Sequence, residues 1–373
     1  MKFSASSTEL QKALGTVGGV IPTKSTLPIL ENYLFHLSGD KLQITATDLD
    51  ISMSISLQVK GSEDGIIAIP AKRLFETIRS LPALDIDIDV NLSNNKITML
   101  TDSGEYRLTG ESSDNYPTIP SFKGSEEIEI ENEFLRRLIS KTVFAVSADE
   151  LRPAMMGILF QIKKKETRAV ATDGHRLVRL MTTNFTADKT EREIVIPSKA
   201  LNLILKTANE TKSTISLSEN HAMFSSGNSV LTSRLIEEKY PNYESVIPLD
   251  NEKTLIVDKN QLLASVRRTS LYASSTTHQV RFSLKKGGIT ISAEDIDFGS
   301  EARETLTCDF TSEPMEIGFN SAYIVDILSH IDTDEVMFKL SSPTRASIIH
   351  PITQREGENL LMLVMPVRLN VNA

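Results

Sequence analysis

Apolar and polar residues alternate along this chain with two kinds of period, which divide it into short helices and strands. Many segments place an apolar residue at every second position, which predicts half-buried antiparallel strands; Leu42, Ile44 and Ala46 are one example. Turn residues at 94–95 and 287–288 predict hairpins between such strands. Short helices are predicted between the strands, at residues 7–17, 71–81, 132–142, 198–208, 259–268 and 321–331. The pattern therefore predicts an α+β fold with antiparallel sheets.

The same order of elements recurs three times, at an interval of about 125 residues. A strand running into a helix aligns Leu10, Leu135 and Leu262. The second helix of each copy begins near Pro70, Pro197 or Asn320, where proline suits the first helical turn and asparagine an N-cap. We therefore predict three repeated domains, each with two helices packed on two antiparallel sheets, at residues 1–124, 125–251 and 252–373 (the first, second and third repeats).

An acidic turn is repeated as well, in "ATDLD" from 46, "ATDGH" from 171 and "AEDID" from 293. Asp48, Asp173 and Asp295 thus occupy equivalent positions after a strand. A metal site or an acid–base pair needs several converging groups, whereas each copy supplies one or two. The three aspartates are therefore predicted to be turn residues. Alternation of Glu with Ile in 126–133 likewise predicts an edge strand rather than an acidic tail.

Composition narrows the class of protein. The 373 residues are 40% hydrophobic and 24% charged, which is ordinary for a soluble protein. Its apolar runs are too short for a membrane span, and its first residues lack a secretory signal, so we expect an intracellular, cytoplasmic protein. The single cysteine, Cys308, excludes an internal disulfide and a multi-cysteine metal site. Phosphate-loop, dinucleotide, zinc-protease and serine-hydrolase motifs are missing, so we predict no enzymatic activity, no metal and no cofactor.

Charge is unevenly distributed. The six predicted helices contain twelve basic and four acidic residues, a net charge of +8, which leaves −17 for the rest of a chain whose total is −9. This segregation predicts that the helices face a polyanion, and lysine and arginine neutralise phosphates without selecting a base sequence. Because no aromatic platform for single strands accompanies the cations, we expect duplex DNA. The simpler interpretation is that short surface helices are often rich in Lys and Arg.

Five motifs together resemble the bacterial β sliding clamps, the processivity subunit of DNA polymerase III. They are "MKF" at 1–3, "LPIL" at 27–30, "TDGHRL" at 172–177, "YPNYESVIP" at 240–248 and "VMPVRL" at 364–369. The resemblance covers essentially the whole chain. It implies a homodimeric ring of two three-domain subunits joined head to tail, with helices lining the hole around duplex DNA. It also implies partners that carry clamp-binding peptides: the polymerase III alpha subunit, the clamp loader, repair polymerases, ligase and mismatch repair proteins.

The resemblance further implies three sets of site residues. A peptide pocket between the second and third repeats would be formed by Arg152, Met155, Thr172, Gly174, His175, Arg176, Leu177, Pro241, Val246, Asn320, Tyr323, Val364, Met365, Pro366, Val367 and Arg368, with Leu177 and Met365 as its apolar floor. Cations near the DNA would be Lys24, Arg73, Lys199, Arg136, Arg137 and Lys141. The dimer interface would include Tyr106, Leu108, Leu271 and Tyr272.

Three positions depart from the family pattern. Ser245 replaces a residue that is basic in many relatives, Thr277 stands where an aromatic can occur, and the tail 370–373 extends past the usual end. These departures bear on peptide preference. Two other functions stay open at this point: a three-repeat peptide-binding scaffold without a DNA role, and an enzyme using Asp173 and His175. Charge segregation argues against the first, and triplication of the aspartate argues against the second.

Overall fold

The computed structural model describes residues 1–120, 126–186, 191–208 and 210–369. Within these residues, the six predicted helices are confirmed with bounds within two residues of those expected. They are α1 (Ser7–Val17), α2 (Ala71–Ser80), α3 (Asn132–Ser140), α4 (Ser198–Thr207), α5 (Lys259–Thr269) and α6 (Ser321–Ser329). Leu10, Leu135 and Leu262, which the repeats align, are at most 2% exposed. Burying each one contributes roughly 1.5–3 kcal/mol, which explains why all three copies keep leucine there.

Strands follow the same threefold order. The first repeat contains β1 (Lys2–Ser6), β2 (Asn32–Ser38), β3 (Lys41–Thr47), β4 (Ile51–Gln58), β5 (Lys60–Glu63), β6 (Gly65–Pro70), β7 (Asp85–Asn91), β8 (Lys96–Thr101) and β9 (Gly104–Thr109). The second contains β10 (Glu126–Glu131), β11 (Gly157–Ile162), β12 (Thr167–Thr172), β13 (Arg176–Thr182), β14 (Arg192–Pro197), β15 (Lys212–Leu217), β16 (His221–Ser226) and β17 (Ser229–Arg234). The third contains β18 (Lys253–Asp258), β19 (Gln279–Lys285), β20 (Gly288–Asp295), β21 (Ser300–Thr307), β22 (Asp309–Phe310), β23 (Met315–Asn320), β24 (Glu335–Leu340), β25 (Ser347–Pro351) and β26 (Glu358–Val364).

The chain divides into two compact units, and the division does not follow the repeats. Unit 1 comprises Met1–Arg136 and Lys199–Leu235. It holds a five-stranded sheet in the order β5-β1-β7-β8-β9 and an eight-stranded sheet in the order β10-β15-β16-β17-β4-β3-β2-β6. In the larger sheet β4 of the first repeat pairs with β17 of the second, with Ile51 opposite Ser233. As predicted, the Glu-rich strand β10 lies at a sheet edge.

Unit 2 comprises Arg137–Ser198 and Ile236–Ala373. Its nine-stranded sheet has the order β14-β11-β12-β13-β26-β25-β24-β18-β22, and its four-stranded sheet the order β21-β20-β19-β23. Here β13 of the second repeat pairs with β26 of the third, with Arg176 opposite Val364. The strand that follows the acidic turn of one repeat therefore pairs with the last strand of the next repeat, in both units.

Local sequence signals explain most turns and helix starts. Asn95 and Gly287 have positive φ angles of 56° and 76°, and each ends the hairpin turn that the sequence predicts there. The Asn320 side chain accepts a hydrogen bond from the Ala322 N–H at 2.9 Å, as expected of an N-cap. The prediction for the two prolines is wrong by one residue. Pro70 and Pro197 end strands β6 and β14, one residue before helices α2 and α4 begin.

Candidate functional site

The "TDGHRL" segment forms a tight turn between β12 and β13, held by its own side chains. Asp173 Oδ1 accepts hydrogen bonds from the N–H groups of His175 and Arg176, both at 2.9 Å. Thr172 Oγ1 donates to the Arg176 carbonyl at 2.6 Å and accepts from the Gly174 N–H at 3.1 Å. Gly174 has a φ of +89°, which favours glycine. The Asp173 carboxylate thus serves the turn, as predicted.

The other two acidic turns have the same construction. Asp48 Oδ1 accepts from the N–H groups of Asp50 and Ile51, and Asp295 Oδ1 from those of Asp297 and Phe298. No group of three or more His, Cys, Asp or Glu residues that could hold a metal occurs in the part of the chain that is described. The predicted turn role of the three aspartates is therefore confirmed.

Arg176 is buried, with 9% of its surface exposed. Its guanidinium forms ion pairs with Asp173 and with Asp326 of α6, and it donates to the Phe144 carbonyl at 2.7 Å. The same group lies 4.7 Å from the ring centre of Tyr323, a cation–π distance. Arg176 therefore links the turn to α6 from the protein interior. This makes it a positioning residue rather than part of an exposed rim.

His175, like Gly174, is an exposed member of the turn. Its ring stacks on Tyr323 with a centroid distance of 6.1 Å and an interplanar angle of 19°. Burial raises the pKa of the Tyr323 hydroxyl, with a smaller contribution from the Asp173 charge, so tyrosine stays neutral and able to donate a hydrogen bond at physiological pH. The pair forms an aromatic wall with one wet edge, which suits recognition of a mixed polar and apolar ligand.

The C-terminal segment is held beside the turn. The Met365 N–H donates to the His175 carbonyl at 2.8 Å, and the Val367 N–H donates to the Gly318 carbonyl at 2.9 Å. A Cβ atom on Gly318 would lie 2.8 Å from the Val367 oxygen, so glycine permits this approach. The segment is thereby fixed between the turn and β23. Met365 is 39% exposed and offers an adaptable apolar side chain.

An apolar cluster adjoins the turn through Leu177. Leu177 is 2% exposed and belongs to a buried group that also contains Leu159, Val170, Val195, Tyr240, Tyr243, Ala346 and Leu363. Ile247 packs against that group, and Val246 beside it is 53% exposed. Of the two residues predicted to form the floor, Leu177 is therefore buried inside this cluster, whereas Met365, like Val246, presents apolar surface to solvent.

Arg152 and Met155 border the same turn. A Cβ atom on Gly174 would lie 2.8 Å from Arg152 Nη1, so the guanidinium rests directly against the glycine. Arg152 Nε pairs with Asp149 at 2.8 Å, and the Met155 N–H donates to the Arg152 carbonyl at 2.9 Å. All sixteen predicted pocket residues lie in unit 2. Of these residues, Pro241 and Arg368 are exposed to solvent, whereas Val364 is buried within β26.

Sequence reasoning missed several residues that hold this site together. Phe144 supplies a carbonyl and a ring to Arg176, Asp326 supplies a carboxylate, and Asp149 holds Arg152. One signal was available in the repeats. Phe144 follows Leu135 by as many residues as Leu271 follows Leu262, so the two share an equivalent position after the first helix of their repeats.

Four of the six predicted DNA-contacting cations are in unit 1. Lys24 and Arg73 are exposed. Lys199 is 47% exposed and pairs with Asp48, while its Nζ also donates to the Val20 carbonyl at 3.3 Å. Lys199 therefore adjoins the segment that carries Lys24. Arg136 Nη1 donates to the Leu205 carbonyl at 2.7 Å near the end of α4, where a cation is favourable.

Arg137 and Lys141, in unit 2, have a different environment. Their side chains are only 13% and 10% exposed, and both form ion pairs with Asp332; Arg137 also pairs with Glu358. Burial alone would raise the pKa of Asp332, but hydrogen bonds from Lys141 and Arg137 outweigh it and lower that pKa to about 2. Because their charge is neutralised inside unit 2, the prediction that these two cations contact DNA receives no support from the geometry.

Two of the four predicted interface residues lie on an edge strand, and the other two lie on a turn after a helix. Tyr106 and Leu108 are half-buried on β9, an edge strand of the five-stranded sheet. Leu271 is 81% and Tyr272 45% exposed, on a single 3₁₀ turn after α5. A groove of about 980 Å³ opens beside β9, lined by Pro70, Lys72, Arg73, Glu76, Lys96, Ile97, Thr98, Arg107, Leu108 and Thr109.

Among the described helices none is long and apolar enough to cross a membrane.

Known proteins match this chain along its whole length. Models of the DNA polymerase III beta subunit match at residues 1–120 for the N-terminal domain, 129–242 for the central domain and 244–368 for the C-terminal domain. The beta sliding clamp of Pseudomonas aeruginosa is 30% identical over 372 residues, covering 99% of this chain and 100% of that protein.

Solved structures agree. The sliding clamp from Bartonella birtlesii, bound to griselimycin, is 30% identical with a TM-score of 0.93, covering 99% of this chain and 100% of that one. The clamp from Bacillus subtilis is 26% identical with a TM-score of 0.92, covering 99% of each chain. This chain therefore belongs to the DNA polymerase III beta subunit family, the non-catalytic sliding clamps.

Proposed function

We propose that this chain is a sliding clamp of a replicative DNA polymerase, which closes around duplex DNA as a homodimer and tethers partners through a peptide pocket. The observation that carries the proposal is the joint between repeats. Twice within the chain, the strand after an acidic turn pairs with the last strand of the next repeat, as β4 with β17 and β13 with β26. The third such strand, β21, and the last strand of the first repeat, β9, are both edge strands.

Two copies of the chain provide the missing joints. If β21 of one copy pairs with β9 of another, the same joint forms a third time, and a second copy of that contact closes a head-to-tail ring. Closure also removes two exposed sheet edges per chain, which otherwise invite uncontrolled association. Two copies joined by β21–β9 pairing therefore form a closed ring of six repeats.

The register of the proposed joint follows from the two existing ones. In the two existing joints, the turn aspartate donates its backbone N–H to the carbonyl of Ile51 or of Arg176. In the third repeat, the strand partner of Asp295 is Ser300. In each existing joint, the last strand of the repeat places a residue, Ser233 or Val364, three positions before the residue whose N–H donates to the strand that precedes the second helix. Leu108 has the same position relative to such an N–H in the first repeat. Because Ile51 faces Ser233 and Arg176 faces Val364, the transferred register places Leu108 opposite Ser300, Arg107 opposite Glu301, and Glu105 opposite Arg303.

That register matches opposite charges twice. In the single chain Glu105 pairs with Arg107 at 2.7 Å, and Glu301 with Arg303 at 3.3 Å, each along its own strand. Strand pairing between copies would exchange these contacts for two cross-strand pairs, each contributing roughly 0.2–1 kcal/mol. A shift of one residue would turn the same side chains to the other sheet face. Charge therefore supports this register.

Exposed apolar residues support the same joint. Phe144 stacks on His330, the residue just after α6 in the following repeat, with ring centroids 4.0 Å apart. Leu271 is its equivalent in the third repeat, and α2 is the equivalent of α6 in the first. The groove beside α2 would then receive Leu271 and Tyr272 of a second copy, against Leu108. This accounts for the 81% exposure of Leu271 in the single chain.

DNA contact is assigned to Lys24, Arg73, Lys199 and Arg136. All four are exposed, and their charges lie on helices or on the segment that Lys199 adjoins. These cations would contact phosphates only, so the clamp would slide without sequence preference. Arg137 and Lys141 are left out, since they stabilise unit 2. The acidic remainder of the chain would discourage DNA from binding elsewhere.

Partner peptides are assigned to the site built on the His175 turn. The stacked His175–Tyr323 pair, the exposed Met365 and the underlying leucine cluster support a short, extended, apolar ligand. Griselimycin-bound relatives are consistent with a ligand site in this family. We assign the polymerase III alpha subunit, the clamp loader, repair polymerases, ligase and mismatch repair proteins as partners, the cytoplasm as location, and 1–124, 125–251 and 252–373 as domains.

The decisive experiment separates encirclement from surface binding. The clamp is loaded onto nicked circular DNA with a clamp loader and ATP, and then filtered through a gel column at raised salt. A closed ring stays on the circle, because topology rather than counterion release holds it. One restriction cut should release it, since it slides off the ends while every local contact is unchanged. Equal retention on cut and uncut DNA would refute the proposal, and loss from both would indicate a surface-bound protein.

A further inference from the structure

A buried group of four charged side chains, the ion cluster, joins the second repeat to the third. Arg137 lies in α3 and Lys141 follows its end, whereas Asp332 follows α6 and Glu358 begins β26. Arg137 Nη1 lies 2.8 Å from Asp332 Oδ2, and its Nε lies 2.7 Å from Glu358 Oε1. Lys141 Nζ lies 2.5 Å from Asp332 Oδ1. The two positive and two negative charges cancel, and no step of the proposed peptide or DNA binding uses them.

Stability alone does not explain the ion cluster. Taking ions out of water is costly, and a buried ion pair is often no more stabilising than apolar side chains of similar volume. Burial lowers the pKa of the Lys141 ammonium, even against the hydrogen bond and the charge of Asp332. Pairing therefore offsets only part of the cost of burying this cation. Buried ions do, however, select one arrangement of the segments that carry them, because any other arrangement leaves a charge unpaired.

The counterparts of Lys141 in the other repeats have different contacts. Counted from the aligned leucines, they are Thr16 in the first repeat and Arg268 in the third. The Thr16 hydroxyl donates to the Lys12 carbonyl of its own helix at 2.8 Å. Arg268 pairs with Glu304 of its own repeat and is 59% exposed. Within the described residues, only the counterpart at the joint with the peptide pocket is a buried cation paired across two repeats.

A continuous series of contacts connects the ion cluster to the pocket turn. Lys141 Nζ donates to the His330 carbonyl at 2.6 Å. The His330 ring stacks on Phe144, with ring centroids 4.0 Å apart and an interplanar angle of 13°. The Phe144 carbonyl accepts from Arg176 at 2.7 Å, and its ring centre lies 5.4 Å from the same guanidinium. Arg176 in turn contacts Tyr323, so the series ends at the aromatic wall of the pocket.

We propose that the ion cluster is a positioning lock for the peptide pocket. Carboxylates of the third repeat hold both cations of the second, so the end of α3 and the end of α6 meet in one arrangement. The stack of Phe144 on His330 then fixes Arg176, and Arg176 fixes the turn against Tyr323. This inference rests on the proposed peptide site, and it assigns the shape of that site to residues that the ligand does not touch.

Isothermal titration calorimetry with griselimycin tests the lock on the full chain, because two related clamps were solved with this ligand bound. Lys141→Met leaves one carboxylate of the ion cluster unbalanced and removes the hydrogen bond to His330. Its affinity should fall about fivefold or more, within the range that mutations away from a ligand produce. Adding Asp332→Asn restores neutrality, so the double variant should bind no more weakly than Lys141→Met alone.

A stability control separates positioning from general damage. Ile291 is fully buried in β20 of the third repeat, outside the series of contacts. Ile291→Val removes a buried methyl group and lowers the stability of the same unit. Its affinity for griselimycin should stay within about twofold of the parent, since changes at unconnected sites act independently. Circular dichroism melts establish that each variant is folded.

Two changes at His330 test the path itself, including the case in which Lys141→Met does not fold. His330→Ala removes the stack and should weaken griselimycin binding, whereas His330→Phe keeps a ring against Phe144 and should retain most of the affinity. Hydrogen exchange of the amides in residues 172–180 is the second measurement. It should be faster in Lys141→Met and His330→Ala, because the turn opens more often, and unchanged in Ile291→Val.

The outcomes distinguish this inference from the proposed function. If the ion-cluster and His330 variants melt earlier but match the parent in affinity and in exchange at 172–180, the ion cluster only stabilises the fold and the lock is wrong. Equal weakening in Ile291→Val would also overturn it. If the parent does not bind griselimycin, the assigned peptide site fails. Exchange then decides whether the ion cluster positions the turn: faster exchange in the variants supports it, and unchanged exchange refutes it.

Discussion

Leu271 offers the sharpest test of the proposed ring, because its side chain is largely exposed in the single chain. It is 81% exposed on the 3₁₀ turn after α5. Burying a leucine contributes about 2 kcal/mol, and a ring of two copies buries two of them. Leu271→Ala should therefore cost the dimer about 3 to 4 kcal/mol in total, which is on the order of 10²- to 10³-fold in dissociation constant.

Leu271→Asp should have a larger effect, since it adds an unpaired carboxylate to a buried contact. We expect monomers that remain folded at micromolar concentration, where the parent is a dimer. Sedimentation velocity over a dilution series measures the dissociation constant, and circular dichroism melts monitor the fold. Leu249→Asp is the matched control, because Leu249 is 98% exposed outside the proposed interface. An unchanged dissociation constant for Leu271→Asp would place the interface elsewhere, and equal loss in both variants would indicate a general charge effect.

Three further predictions concern the pocket, the cations and the buried ion pairs. Deleting residues 365–373 removes the Met365 and Val367 hydrogen bonds to His175 and Gly318, so fluorescence anisotropy should detect no binding of a labelled clamp-binding peptide, whereas deleting 370–373, which lie outside the described residues, should leave affinity nearly unchanged. Arg73→Ala should reduce the salt dependence of weak DNA binding by about one phosphate contact, and Lys141→Met should not. Asp332→Asn should lower the free energy of unfolding at pH 7 by about 1 kcal/mol, discounted for the 44% exposure of that side chain. Because the folded pKa of Asp332 is depressed to about 2, this contribution is present above pH 4 and is lost as pH falls toward 2, so parent and variant should converge in urea titrations at low pH.

The elements of the fold could be predicted because their signals are local. The hairpin at Asn95, the edge strand β10 and the Asx-type turns at the three aspartates each depend on residues within a few positions of one another. The repeats then multiplied each signal by three. Pro70 and Pro197 were expected in the first helical turn, where the fixed φ of proline suits the first position, but each ends a strand one residue before its helix.

The partners of charged residues could not be predicted in this way. Arg137 and Lys141 look like surface cations in the helical pattern, yet Asp332 and Glu358, far along the chain, neutralise them. Arg176 was expected on an exposed rim, but it is buried, since its contacts with Phe144 and Asp326 are long-range. Sequence patterns report which face a residue occupies, whereas ion pairing depends on which segments meet.

The pairing of β13 with β26 has a consequence for how the protein is made. β13 leaves the ribosome long before its neighbour β26 exists, because they lie in the second and third repeats. At roughly 5 to 20 residues per second, on the order of ten seconds or more passes before β26 is synthesised. During that interval the nascent chain exposes the unpaired edge of an apolar strand, and such an edge can pair wrongly with other chains. The second repeat is thus exposed to misassociation until β26 is made, whereas β26 finds its partner β13 already synthesised.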